Sequence, residues 1–327
     1  MAVYTQLEFS EIEALVAPFA LGRLVAAHGI AAGVENTTYF LDFAHNHGGK
    51  ISGQYVLTIA ETVSRQDLEF IAMLMRDLNG RGLPVPAPVF AEDKFVGNRA
   101  VLSVREKPAL LVPKIAGAHP QSASPDLCHR VGALLAELHL ATRALGYGHE
   151  SHRSLRWVTA TGKTLLPHLV EAEQILLNRE LKDLSEFVSA NNKLPQAIIH
   201  GDLFRDNVLI QGGTITAIID FFSAGTGYLL LDLAIVVNDW CFDQQGTLNI
   251  NNYNQLIDGY CSVRKPQAEE VEGWGRLLRI AALRFWVSRL NEQLISEPHA
   301  SRGRGKDPAA YRRLVLLHRT SPLQLTY

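Results

Sequence analysis

The chain has 327 residues, 47% hydrophobic and 20% charged, which describes a folded protein with a substantial core and excludes a disordered one. Its 31 basic and 33 acidic residues leave a formal net charge of -2, so neither a nucleic-acid partner nor a membrane surface is expected. Cys128, Cys241 and Cys261 are scattered and odd in number, which fits no disulfide framework or zinc pattern and suits a reducing cytoplasm. The opening residues carry neither a basic region nor an apolar run, so no signal peptide is expected. No stretch approaches the roughly 18 apolar residues of a membrane span.

In chain order, Thr5 to Phe19 predicts a helix with Leu7, Ile12, Leu15, Val16 and Phe19 on one face and Ser10 as its N-cap. Leu24 to Phe43 alternates as a hairpin turning at Gly29 to Asn36, His45 to Gly49 makes a second turn, and Gln54 to Ala60 is a further strand. Arg65 to Leu78 is amphipathic at helical spacing and ends on Asn79, Gly80 and Gly82. The prolines of Leu83 to Pro88 hold that stretch extended, and short strands are expected near Ala100 to Val104 and Ala109 to Val112.

Helices dominate after Lys114 to Pro120: Asp126 to Leu145, about Pro167 to Ala190, Leu229 to Trp240, Tyr253 to Tyr260, Glu269 to Leu294 and Pro308 to His318. The reading is α+β, a two-lobed protein-kinase-like arrangement. Residues 1–112 form a small antiparallel-sheet lobe, 113–118 a hinge and 119–327 a larger helical lobe.

The chemistry concentrates in Ile198 to Asp220. A short apolar run leads into the polar loop His200 to Asn207, Val208 to Ile210 follows, Gln211 to Thr214 turns the chain, and Ile215 to Ile219 ends on Asp220. The spacing His-Gly-Asp-x-x-x-x-Asn matches a kinase catalytic loop in all but the residue between His and Asp. In such a loop Asp202 accepts or orients the proton of a hydroxyl nucleophile, while Asn207 and Asp220 hold magnesium on nucleotide phosphates. A polar connector capped by Asp and Asn explains any one of these residues but not all of them together.

In the first hairpin, Gly29 and Gly33 permit close backbone approach to phosphates, and Asn36 or Thr37 can donate to them. Gly162-Lys163-Thr164 resembles the end of a phosphate-binding loop, but Trp157 stands where its first glycine belongs, and a helix start is the better reading. Arg302 to Lys306 reads as a solvated basic linker, and His139, within an apolar helix, as a satisfied core histidine.

His200 to Leu209 followed by Ile218-Ile219-Asp220-Phe221 resembles the aminoglycoside-phosphotransferase and choline-kinase-like superfamily. Phe204-Arg205-Asp206 most resembles its homoserine kinase branch, which is distinct from the GHMP type. Gly29 to Asn36, Tyr55 to Ile59, Gly82 to Pro86, Lys107 to Leu111, Val131 to His139 and Ala281 to Leu290 agree, so the resemblance spans nearly the whole chain.

The resemblance implies ATP- and magnesium-dependent phosphorylation of the L-homoserine hydroxyl, with Asp202 catalytic and Asn207 and Asp220 on the metal. Pro113, Lys114 and Ile115 would lie at the hinge that reads adenine. Thr58 stands where small-lobe kinases carry lysine, which leaves Glu61 and Glu69 without an evident role. Arg205 is expected to supply positive charge to the phosphoryl group or the substrate carboxylate. Asp232, Asp239 and Arg284 are the candidate substrate groups, with Trp240 or Trp286 as walls. Another small-molecule kinase of this fold, or a nucleotide-binding module without catalysis, stays open as an alternative. Only Phe221 to Leu231 separates Asp220 from Asp232, too little for the activation segment of a protein kinase.

Overall fold

The first helix starts at Glu8 rather than Ser10. The Glu11 carboxylate accepts the Glu8 backbone N–H at 2.8 Å, completing a capping box, so Ser10 falls inside the first turn of α1 (Phe9–Val16). The structure, a computed structural model, describes residues 5–30, 36–44, 51–93, 97–190, 193–243, 245–295 and 307–326. Gly33, the turn at 45–49 and the basic stretch 302–306 lie outside them.

The described chain divides into two compact units, one running to Gly117 and including Ile215–Phe222, the other formed by Ala118–Thr214 and the described residues from Ser223 onward. In the first unit, β1 (Arg23–Ile30), β2 (Thr37–Ala44) and β3 (Ile51–Ile59) follow α1, and then comes α2 (Arg65–Gly80). Ser64 caps α2, and Asp67 closes a second capping box. Two short strands the sequence pattern did not mark, β4 (Ala91–Asp93) and β5 (Gly97–Arg99), pair with each other. β6 (Val101–Val104) and β7 (Lys107–Pro113) complete a five-stranded antiparallel sheet in the order β1-β2-β3-β7-β6.

Because side chains alternate across a strand, Leu57, Ile59, Ala109 and Leu111 share one face of that sheet. They pack with Ile12, Val16 and Phe19 of the N-terminal segment. The segment Ile215–Phe222 joins this unit through hydrogen bonds: Ile218 N–H donates to the Pro84 carbonyl at 2.7 Å, and the Thr216 hydroxyl to the Ala116 carbonyl at 2.7 Å.

The second unit contains α3 (Pro125–Arg143), α4 (Leu155–Leu165), α5 (Glu171–Ala190), β8 (Gln196–Ile199) and β9 (Val208–Gln211). Gly212 and Gly213, both at positive φ, then turn the chain into β10 (Thr214–Ile218). β11 (Gly225–Tyr228), α6 (Leu229–Trp240), α7 (Ile250–Val263), α8 (Ala268–Leu294) and α9 (Pro308–Thr320) follow. β11 pairs antiparallel with β8; its Gly-Thr-Gly-Tyr sequence carries no strand alternation. α4 also escaped the pattern. Ser154 caps it at 3.3 Å from the Trp157 N–H, and Gly162-Lys163-Thr164 lies in its last turns, with Gly162 against Leu181.

α3 and α7 cross backbone to backbone. A Cβ on Gly132 would lie 2.2 Å from the Leu256 carbonyl oxygen, and one on Gly259 1.9 Å from that of His129. Only glycine permits this approach. It fixes the two helices so that His139 of α3 reaches Tyr260 of α7.

Candidate active site

The loop from His200 to Asn207 sits between β8 and β9 and is held by its own backbone. Gly201 has φ 76°, and a Cβ there would lie 2.8 Å from the Ser223 carbonyl oxygen, so the position requires glycine. The His200 and Gly201 N–H groups each donate to a separate oxygen of Asp232 at 2.8 Å, while the Gly201 carbonyl accepts from Arg284 Nη1 at 2.7 Å. The Asp202 N–H donates to His200 Nδ1 at 3.2 Å. Asn207 Nδ2 donates to the Asp202 carbonyl at 2.7 Å and to its carboxylate at 3.2 Å. The Asn207 amide oxygen is left for another partner.

Asp232 is fully buried in α6, among leucine, alanine, isoleucine and valine side chains. His139 Nε2 bonds its Oδ2 at 3.2 Å, and His139 Nδ1 lies 2.9 Å from the Tyr260 hydroxyl. Arg264 Nη1 donates to that hydroxyl at 3.1 Å, and the buried Arg264–Glu270 pair closes the chain at 2.6 Å. Burial alone would raise the Asp232 pKa, but the His139 hydrogen bond and charge, the nearby His200 and the Gly201 N–H outweigh it and hold the carboxyl below its ordinary range. His139 is thus a satisfied core histidine, and through Asp232 it also anchors the loop from His200 to Asn207.

The residues expected to hold substrate divide. Asp232 and Arg284 are buried and bind the loop backbone, and Trp240 Nε1 donates to the Leu203 carbonyl at 3.1 Å. Trp286 is buried as well. Asp232, Arg284 and Trp240 thus hold the loop backbone. The sequence held a signal for this: a lone carboxylate in an apolar helix must find hydrogen bonds inside the protein. Asp239 differs, because its Oδ2 takes both the Arg205 N–H at 2.9 Å and Arg205 Nε at 3.2 Å. Arg205 therefore pairs with Asp239 three residues from Asp202, where the sequence reading had it facing phosphoryl or carboxylate oxygens.

In the first unit, Thr37 is fully buried. Its hydroxyl accepts from the Thr5 N–H at 3.0 Å and donates to Glu61 Oε1 at 2.6 Å, so it faces the fold and not a phosphate. Asn36 Oδ1 accepts the Glu61 N–H at 3.3 Å. Glu61 is no orphan, since Lys107 and Thr5 also donate to its carboxylate. Thr58 lies half-buried on β3 opposite Thr38 and Leu110, and Gly29 pairs with Tyr39 on β1. Pro113 ends β7, and the Lys114 N–H donates to the Gln54 carbonyl at 2.9 Å. That donor continues the sheet and does not face adenine, while the Lys114 ammonium sits 4.4 Å from the Phe40 ring centroid. Ile115 follows it, beyond the end of β7. Asp220, exposed after β10, has φ 66°, a left-handed backbone costing a non-glycine residue about 1–3 kcal/mol and concentrated at functional sites.

A family model described as "Phosphotransferase enzyme family" matches residues 26–277. The chain belongs to this family. Among curated proteins, this phosphotransferase is 40% identical over 290 residues to a homoserine kinase of Pseudomonas aeruginosa, covering 89% of this chain and 88% of that protein. It is 36% identical over 316 residues to a homoserine kinase of Methylobacillus flagellatus, covering 96% and 94%. Among solved structures, an amicoumacin kinase in complex with AMP-PNP, calcium and its antibiotic superposes with TM-score 0.66 at 15% identity, covering 96% and 97% of the two chains. A microcompartment-associated aminopropanol kinase gives 0.64 at 19%, covering 98% and 100%.

The phosphotransferase therefore has the α+β kinase-like fold, with a small antiparallel-sheet unit and a larger helical one. Among its described residues, no helix is long and apolar enough to cross a membrane, and no cluster of three or more His, Cys, Asp or Glu could cage a metal ion. Magnesium keeps several waters and binds through one or two protein oxygens plus substrate phosphates, so it needs no such cluster. Asn207's amide oxygen and the Asp220 carboxylate are hard oxygens of this type.

Proposed function

We propose that this chain is a homoserine kinase, which transfers the terminal phosphoryl group of ATP to the side-chain hydroxyl of L-homoserine. The observation that carries the reading is 40% identity across 89% of the chain with a homoserine kinase, together with the intact Asp202–Asn207 hydrogen bond in the loop. Asp202 accepts the hydroxyl proton, and Asn207 keeps its carboxylate oriented for that task. Asn207 and Asp220 would hold magnesium, which when bound would neutralise charge on the phosphate oxygens. Arg205 orients Asp239, whose second oxygen suits the substrate ammonium. Gly29 and Thr58 line the phosphates, and the hinge at 113–118 takes the adenine. The cytoplasmic setting belongs to the same proposal, in keeping with three buried, unbridged cysteines.

A coupled ADP-release assay over L-homoserine, choline, aminopropanol and aminoglycosides tests the reading. Homoserine is the expected substrate, and Asp202→Asn is expected to lower kcat by about 10²–10⁴-fold. Turnover confined to choline or an aminoglycoside overturns it.

A further inference from the structure

Several arginines of the helical unit end on an acid. Arg264 meets Glu270, Arg279 and Arg319 meet Glu180 and Asp183, Arg312 meets Glu173, and Arg205 meets Asp239. Arg289 of α8 does not. Among the described residues no carboxylate lies within ion-pair distance of its guanidinium. Its contacts are a 3.4 Å hydrogen bond to the Asp307 carbonyl and the face of Tyr311, 4.0 Å from the ring centroid. A half-buried guanidinium with so little compensation is costly, since desolvation penalises the charged form.

Its surroundings connect it to the candidate active site. The Tyr311 ring packs against Phe285 at 5.3 Å and lies nearly parallel to Phe204 at 6.4 Å; Phe204 and Phe285 are 4.6 Å apart. Phe204 stands between Asp202 and Arg205 in the catalytic loop. One aromatic cluster thus braces the loop on one side and carries the arginine on another. Burial pulls the Arg289 guanidinium below its ordinary pKa, while the charges of Glu292, Asp239 and Asp202 act against that shift.

We infer that Arg289, stacked on Tyr311, is the seat of the substrate's α-carboxylate and sets the preference of this enzyme for an amino acid over an uncharged amino-alcohol. The inference rests on the homoserine reading. A planar guanidinium offers parallel N–H donors that match a carboxylate, and the ring holds it in place at little conformational cost. L-homoserine has its hydroxyl and carboxylate at opposite ends of a short chain. With the hydroxyl on Asp202 and the ammonium on Asp239, the carboxylate is the one charged group without a partner, and Arg289 is a cation with no ion-paired carboxylate among the described residues.

The test compares L-homoserine with L-homoserine amide, whose carboxylate is a neutral carboxamide, in wild type, Arg289→Gln and Arg289→Lys. Wild type is expected to favour homoserine in kcat/KM by about 10- to 150-fold, the span of one or two charge-assisted hydrogen bonds. Arg289→Gln is expected to bring that ratio near unity, mainly through KM for homoserine, with KM for ATP moving less than about twofold. Arg289→Lys keeps the charge without the fork and is expected to retain part of the preference; it also serves as the test if the glutamine variant does not fold. An unchanged ratio in a folded variant, an equal loss on both substrates, or a rise confined to KM for ATP overturns the inference. Wild type inactive on homoserine overturns the homoserine reading itself, a result distinct from those three.

Discussion

Glu61 in the sheet unit and Asp232 in the helical unit are both sunk carboxylates with every sign of function, yet they are held in opposite ways. Glu61 meets a lysine ammonium and two threonine hydroxyls at the base of the first hairpin. Asp232 meets two backbone N–H groups of the catalytic loop and one imidazole. The first ties strand ends and the N-terminal segment together. The second fixes the backbone from which Asp202 projects. A buried acid supports catalysis when its donors belong to the reacting loop, and supports the fold when they belong to the scaffold.

Removing each acid separates the two roles. Asp232→Ala strands two buried N–H groups and a histidine, with an expected loss of about 3–5 kcal/mol of stability in urea titration. In the fraction that folds, kcat is expected to fall by about 10²-fold or more because Asp202 loses its position. A folded variant with wild-type kcat would remove Asp232 from the loop's support.

Acid titration sharpens the contrast. Both acids have depressed pKa values: burial raises that of Glu61, but hydrogen bonds from Lys107, Thr37 and Thr5 prevail. Their stabilisation is therefore present above the ordinary values of 4.5 and 3.8 and is lost as pH falls through the lower folded values. The helical unit has an earlier weakness in His318, buried with Nε2 2.7 Å from Asn238 Oδ1 and lowered by burial from 6.5 to about 4. The unfolded chain protonates first, so stability declines from about pH 6.5 to about pH 4, by an amount of order 3 kcal/mol. Hydrogen exchange at pH 7 and pH 5 should show the helical unit loosening before the sheet unit, and His318→Gln should flatten that window. A uniform loss of protection in both units would refute the ordering.

The smallest effect is expected from Glu61→Gln, which keeps the shape and removes the charge facing Lys107. It should cost about 1–3 kcal/mol and leave kcat far less affected than Asp232→Ala does. A kcat loss as large as that of Asp232→Ala would place Glu61 in the catalytic machinery and erase the contrast.

The elements read from the sequence were those with strong periodicity. The hairpin at 23–44, α2, α3, α6 and α8 appear within a few residues of their expected bounds, the hairpin, α2 and α3 because their apolar positions repeat at two or near 3.6 residues, and α6 because it is a continuous apolar run. β11 has no alternation in its Gly-Thr-Gly-Tyr, and Gly162-Lys163-Thr164, which suggests a helix start, instead lies in the last turns of α4. Asp202 and Asn207 were legible from spacing alone. Thr37, Lys114, Asp232, Trp240 and Arg284, candidate ligand groups in the sequence, each hold the protein's own backbone or side chains, and Lys114 adds a cation–π contact.

By itself, the sequence determined the loop chemistry, the order of sheet and helices, and which helix faces are buried. These depend on local spacing, where covalent geometry limits the choices. Only the tertiary structure decided which buried polar group meets which distant donor: that Asp232 takes the loop's N–H groups, that Glu61 takes Lys107, and that Arg289 lies on Tyr311. Periodicity states that a side chain points inward. What it meets there depends on how distant segments pack, as at the glycine crossing of α3 and α7, and no local pattern encodes that.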